Sequence, residues 1–141
     1  MYRSRKSRNN YKQYLRNVDS SGCPFCGEMG KRDIIEKHTS CYVIKNKFPY
    51  TYWDQQTVLE HLMIIPKRHV NKLYNLDLLE KKEIFELIVK YEANGYDVFA
   101  RGVNSTIKTV PAHQHTHLIK TSGKHTKTSL FLKKPYVLIN N

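Results

Sequence analysis

The stretch His113-Gln114-His115-Thr116-His117-Leu118-Ile119 sets three imidazoles at a spacing of two, an arrangement improbable by chance and chemically usable as a unit. Side chains alternate along an extended strand, so residues 113, 115 and 117 are predicted to share one face of a strand spanning 112 to 119, with roughly 7 Å between neighbours. Imidazole has the side-chain pKa nearest neutrality. A row of three can therefore divide nucleophilic, proton-transfer and charge-stabilising roles without extreme tuning, a division that suits phosphoryl chemistry. A metal-binding His tract and an exposed polar strand without chemistry are the alternatives.

Cys23-Pro24-Phe25-Cys26-Gly27 is the second chemical element. Pro and Gly around a two-residue spacer build a tight turn that lets both thiolates face one ion. A redox pair is the rival, but no strand pattern precedes it and no helical pattern follows directly. Two further ligands would be needed to complete a metal site. Cys41, the third cysteine, reads as a small buried hydrophobe.

The elements that must position these groups fit one domain of 141 residues, large enough to bury roughly two-thirds of its unfolded surface without disulfide staples. No apolar run approaches 18 residues and no apolar core follows the basic N-terminus, so neither a membrane span nor a secretory signal is expected, and a cytoplasmic setting is the default. Of the net charge of +12, six charges lie in residues 1 to 16, which contain no acid. Residues 1 to 20 lack apolar periodicity and read as a mobile basic arm, expected to matter for polymeric substrates and to be dispensable for small ones. Its Tyr2, Tyr11 and Tyr14 among cations suit stacking on bases. After Asp97 there is again no Asp or Glu, so the histidine half should sit in positive potential, which favours polyanionic ligands.

Between these segments, residues 41 to 45 and 57 to 65 are β-branched and apolar and read as strands, the second stopped by Pro66 and holding His61. From Leu76 to Ala93 the period becomes helical, with Leu78, Ile84, Leu87, Ile88 and Tyr91 as the apolar stripe. Asp77 with Glu80 resembles a capping box, and Gly95 a C-terminal stop. Residues 96 to 103 read as a strand joined by the turn at Asn104 to the histidine strand, most simply as an antiparallel hairpin. Leu130-Phe131-Leu132 and Tyr136 to Ile139 add a short strand or pack on the core.

Taken together, these residues resemble the histidine triad (HIT) family, whose motif is His-x-His-x-His followed by two apolar residues. The resemblance covers residues 23 to 119: the Cys-Pro-Phe-Cys opening, the stretch His61-Leu62-Met63-Ile64-Ile65-Pro66-Lys67-Arg68-His69-Val70, one long helix, then strand, Asn104 loop and triad. It implies an α+β fold with an antiparallel sheet of about five strands, one long helix and shorter helices packed on it, and a homodimer. Two departures stand out. Gln114 and Thr116 are polar where the family prefers apolar residues, which predicts a wet or interfacial opposite face. The segment between Asn104 and His113 also looks shorter than the family's phosphate loop.

By resemblance, His115 attacks the α-phosphorus of a nucleotide to form a covalent nucleotidyl-histidine that water resolves, while His117 and His61 complete the catalytic pocket. Asn104, Lys108 and Thr109, with His61 and His117, would bind the nucleotide. Some relatives hold a structural zinc ion through residues matching Cys23, Cys26, His69 and His113. The implied activity is hydrolysis of a nucleoside phosphoramidate or dinucleoside polyphosphate, with adenine or another purine as the base. Aprataxin-like removal of adenylate from nucleic-acid ends, with the arm holding the strand, and non-catalytic nucleotide binding are the alternatives.

Overall fold

The computed structural model describes residues 3–17, 22–27, 29–102, 104–105, 110, 112–125, 130–133 and 136–139. In chain order the elements are α1 (Arg5–Asn17), α2 (Pro24–Gly27), β1 (Ile34–Lys37), β2 (Cys41–Lys45), β3 (Tyr52–Trp53), β4 (Gln56–Pro66), α3 (Leu78–Ala93), β5 (Asp97–Ala100), β6 (Thr116–His125), β7 (Leu130–Lys133) and β8 (Tyr136–Ile139). The main sheet runs β1-β2-β4-β6-β5, with the two-residue β3 on β4, and every pairing is antiparallel. It thus has six strands, and β7 and β8 pair separately with each other. No described helix is long and apolar enough to cross a membrane.

The central strand β4 explains how one sheet can carry both a core and a site. Its first five residues alternate between half-buried and exposed, whereas all six from His61 to Pro66 are buried. Such a double-sided apolar run is required of a strand covered on both faces. Leu62 and Ile64 pack with Cys41, Val43, Leu118, Ile84, Leu87 and Tyr91 on the α3 side. Met63 and Ile65 join Ile44 and Phe25 on the other. In register, Met63 faces His117 and His61 faces Ile119, so the two histidines point away from α3, toward the face where α2 lies.

Helix α3 begins as the sequence suggests. The Asp77 side chain accepts from the Glu80 amide at 2.8 Å, and Glu80 accepts from the Asp77 amide at 2.9 Å. Gly95 adopts φ +79°, a left-handed conformation that a side chain would strain, where the helix ends. Ile84, Leu87 and Tyr91 are buried, but Leu78 is 85% exposed and does not belong to the core stripe. Six residues before Ile84, it lies about 120° around the helix from the buried stripe, on which Glu80 sits instead. Glu80 also receives Arg68 Nε at 3.0 Å and Nη2 at 2.6 Å, tying the helix start to the loop after β4.

Three further sequence expectations change. Residues 5–17 form a helix, with the Ser4 Oγ accepting from the Ser7 amide at 3.3 Å as its cap. Its docking residues are the tyrosines: the rings of Tyr11 and Tyr14 lie 5.1 and 5.0 Å from that of Phe48. A stripe made of Tyr among Arg, Lys and Asn gives no aliphatic period to read. Second, β6 starts at Thr116, so only His117 of the three histidines is on the strand. His113 and His115 precede it, because the Gln114 amide bonds to Val70 O (2.6 Å) and not to a ladder partner. Third, Gln114 and Thr116 are buried, 2% and 4% exposed, with Thr116 paired to Ile64 of the helix-side core, so neither side chain faces solvent.

Replacing Asp77 by Ala should cost about 1 kcal/mol, as for an ordinary N-cap. Glu80→Ala should cost more, since it removes the acceptor for both the cap amide and the Arg68 fork. Urea unfolding of both variants measures this; an equal or smaller loss for Glu80→Ala would show that the loop anchor contributes nothing.

Candidate functional site

Pro66 ends β4, and the chain turns through Lys67 and Arg68 to deliver His69, while the tight turn of α2 delivers Cys23 and Cys26. Cys23 Sγ lies 3.3 Å from His113 Nδ1, Cys26 Sγ 3.5 Å from the same atom, and Cys26 Sγ 3.2 Å from His69 Nδ1. All four ligand atoms fall within 4.8 Å of one another. Cys23, Cys26 and Cys41 are free thiols, and Cys41 is fully buried in the core. Two sulfurs and two imidazoles are a donor set suited to one small cation. Burial, followed by the adjacent Cys23 thiol, pushes the Cys26 thiol up. Sulfurs this close resist ionising together unless a cation sits between them, so the residues present fit a metal ion.

Backbone groups fix which nitrogen of each imidazole is which. A carbonyl can only accept, so the 2.9 Å contact of His113 Nε2 with Pro66 O assigns the proton to Nε2 and leaves the Nδ1 lone pair facing the cysteines. Likewise His115 Nδ1 lies 2.9 Å from His113 O, which assigns a proton to Nδ1, so in the neutral ring Nε2 is the nitrogen that carries the lone pair. An amide can only donate, so the Tyr50 amide at 3.2 Å makes His61 Nδ1 an acceptor. His61 Nε2–H then donates to His117 Nδ1 at 2.9 Å, and His117 is left with Nε2–H as an outward donor. One nitrogen for attack and one hydrogen-bond donor thus result from backbone partners, the second relayed through the His61 ring.

Burial holds both members of the relay neutral. His61 falls to about 3 through burial, then the nearby charge of Arg3, then His115. His117 falls to about 2 through burial first, then His61 and His115, with smaller effects of Arg101 and Arg3. His113 is lowered by burial, against the pull of the Pro66 carbonyl.

An aromatic stack walls the same face. Phe99 on β5 stacks on His117 at 4.4 Å and 12°, and Trp53 on β3 stacks on Phe99 at 4.8 Å and 18°. Tyr50 lies 4.6 Å from His61, and Phe25 lies 5.4 Å from His115. Trp53 is presented by a two-residue turn in which Asp54 and Gln55 both have positive φ (44° and 61°), the geometry that matches strand twist in a tight hairpin. Arg101, just past β5, places its Cζ 5.6 Å from the Phe99 ring centre. Asn46, whose Oδ1 accepts from the Phe48 amide, lies beside the His61 ring, its Nδ2 3.1 Å from Nε2 but with no lone pair to meet there in this tautomer.

The structure therefore brings together His61, His113, His115 and His117, and gathers Cys23, Cys26 and His69 at His113. Asn104 is exposed in a turn closed by Ser105 N to Gly102 O at 3.2 Å. Lys108 and Thr109 lie outside the described residues. Sequence reasoning missed Asn46, Phe99, Arg101 and Arg3. The alternation in β5, with Phe99 opposite His117, was the available signal for Phe99.

No family model and no curated protein matches the chain by sequence. Solved structures do match its fold. A HIT family hydrolase from Clostridium thermocellum aligns with TM-score 0.56 and 18% identity over 77% of this chain and 98% of that one. A hypothetical protein from Leishmania major gives 0.57 and 20% identity over 84% and 87%. A hypothetical histidine triad nucleotide-binding protein from Sulfolobus tokodaii gives 0.55 and 20% over 74% and 73%. With the Cys-x-x-Cys turn, the relay and the three histidines placed as described, the fold of this chain is that of the histidine triad proteins.

Proposed function

We propose that the protein is a nucleotide hydrolase in which His115 is the nucleophile. The observation that carries this reading is the His115 Nδ1–H bond to His113 O, which makes Nε2 the nitrogen that attacks when the ring is neutral. Nε2 forms a bond to the α-phosphorus while the bond from phosphorus to the leaving group breaks: a phosphate departs as the anion, and an amine departs with a proton taken up from solvent, which the later attack of water gives back. As Nε2 bonds, positive charge develops on the ring, and the His113 carbonyl stabilises it through Nδ1–H. His117 Nε2–H, fixed by the Tyr50–His61 relay, donates to the phosphoryl oxygens. Water then cleaves the phosphorus–nitrogen bond, releasing the nucleotide and restoring the imidazole. The Trp53–Phe99 stack and Phe25 supply apolar surface for a base, adenine or another purine in this reading, and for excluding water.

A zinc ion bound by Cys23, Cys26, His69 and His113 would serve structurally, since four protein ligands leave no position for water. Its effect on chemistry is indirect: the residue whose ring it fixes is the one whose carbonyl orients His115.

His115→Asn keeps a polar group of similar size and removes the attacking nitrogen. Turnover should fall on the order of 10⁴-fold or more, while AMP binding stays within about tenfold. The panel for assay is AMP phosphoramidate, AMP-lysine, diadenosine polyphosphate and adenylated DNA; preference for the last would favour the nucleic-acid-end reading, which the exposed Arg8 and Lys12 of α1 support. Wild-type turnover by the variant would defeat the nucleophile assignment.

Protein purified without added zinc should contain close to one equivalent, and Cys26→Ser should lose it together with thermal stability. Full metal-free activity and stability after chelation would contradict the site.

Because His61 and His117 are lowered from an ordinary value of about 6.5 to about 3 and about 2, the unfolded chain takes up protons first as pH falls. Stability contributed by these two groups is complete above about pH 6.5 and is lost progressively toward pH 3. Histidine NMR titration should show neither ring protonating between pH 5 and 8. A midpoint near 6.5 for His117 would remove its role as a neutral donor.

A further inference from the structure

The N-terminal segment reaches the site. Arg3 places its guanidinium carbon 4.7 Å from the ring centre of Tyr50 and 4.8 Å from that of Tyr11 on α1, while its Nε donates to Phe48 O at 3.1 Å. The next residue holds the backbone down, with the Ser4 amide donating to Thr51 Oγ1 at 2.8 Å. Tyr50 in turn lies 4.6 Å from the His61 ring and 6.0 Å from the His117 ring, and its amide sets the relay. A cation stacked between two phenol rings keeps its charge and loses little of its mobility to ordering when an anion arrives. With Nε committed to Phe48, the terminal nitrogens of the fork are the ones that phosphate oxygens can meet.

We propose that Arg3 is a specificity residue, carried to the candidate site by α1, that selects substrates whose group beyond the α-phosphate is itself anionic, a phosphate chain, over those with a neutral amine there. The proposal takes the nucleotide-hydrolase reading for the identity of the substrate. Its electrostatic basis is independent of that reading. After burial, Arg3 is the largest influence holding His61 down, and it acts also on His117, so an anion in front of these rings sits within its field. Arg101 at the Phe99 end of the stack adds a second cation. This differs from the sequence expectation of an arm indifferent to small substrates. The sequence could not reveal it, because nothing in the order of residues places position 3 beside position 50.

The test uses the full chain and three ligands, AMP, a non-hydrolysable methylene analogue of diadenosine tetraphosphate and inorganic tripolyphosphate, measured by calorimetry at two salt concentrations. Two variants separate charge from latch: Arg3→Gln retains a donor for Phe48 O without charge, and Arg3→Lys retains charge without the planar fork. Relative to AMP, binding of the two polyphosphates should weaken on the order of tenfold in Arg3→Gln, the low end for one charge-assisted hydrogen bond, and less in Arg3→Lys. Higher salt should shrink the wild-type preference and leave Arg3→Gln nearly unchanged. Hydrolysis of diadenosine tetraphosphate should lose about the same factor in kcat/KM relative to AMP phosphoramidate. Equal weakening of all ligands would make Arg3 a structural latch only and overturn the proposal, as would a wild type with no polyphosphate preference or variants without effect. An Arg3-dependent preference in a protein that hydrolyses no nucleotide would instead retain this inference and discard the hydrolase reading.

Discussion

The hydrogen bond from His115 Nδ1–H to the carbonyl of His113 is the interaction on which the rest of this site depends. An imidazole is ambiguous until something fixes its proton, and a backbone carbonyl fixes it without requiring another titratable group. The same device appears at His113, through Pro66 O, and in inverted form at His61, through the Tyr50 amide. These partners belong to the main chain of packed segments, so the assignment is as durable as the fold. For the carbonyl of His113 to point at His115, the chain must leave the extended conformation just before β6, and it does so where Gln114 turns its amide to Val70.

That bend needs support from outside the strand. The ring of His113 is fully buried against Phe25, with its Nδ1 facing the two cysteines, while His69 comes from a loop that Arg68 ties to Glu80 at the start of α3. The helix on one face of the sheet and the site on the other are thereby coupled through a single loop. Alternation along β4 makes the arrangement possible. Leu62 and Ile64 serve the helix-side core while His61 and Met63 serve the other face, so neither function dilutes the other.

Electrostatics follow from the same burial. His61 and His117 stay neutral because the apolar sheet and the aromatic stack deny them water, which is why they act as a fixed donor chain rather than as proton carriers near neutral pH. The positive charge of the region comes instead from arginines at its rim. Arg101 follows β5, and Arg3 precedes a helix whose tyrosines dock on Phe48.

Much of this was legible in the order of residues. Strong local signals fixed β2, β4 and α3, because β-branched runs, Pro66 and the Asp77/Glu80 pair act through near neighbours. Spacing also marked His113, His115 and His117, and the family resemblance marked Cys23, Cys26, His69 and His61, all of which the fold gathers. What only tertiary structure decided is of two kinds. Whether each histidine lies on the strand or before it depended on a hydrogen bond to Val70, forty-four positions away in sequence. Which groups surround the histidines, namely Asn46, Trp53, Phe99, Arg101 and Arg3, depended on strand order and on the docking of α1, contacts between segments that no local periodicity encodes. Sequence by itself determines which side chains are able to do the chemistry; their protonation and their neighbours arise only when distant backbone groups meet them in the folded chain.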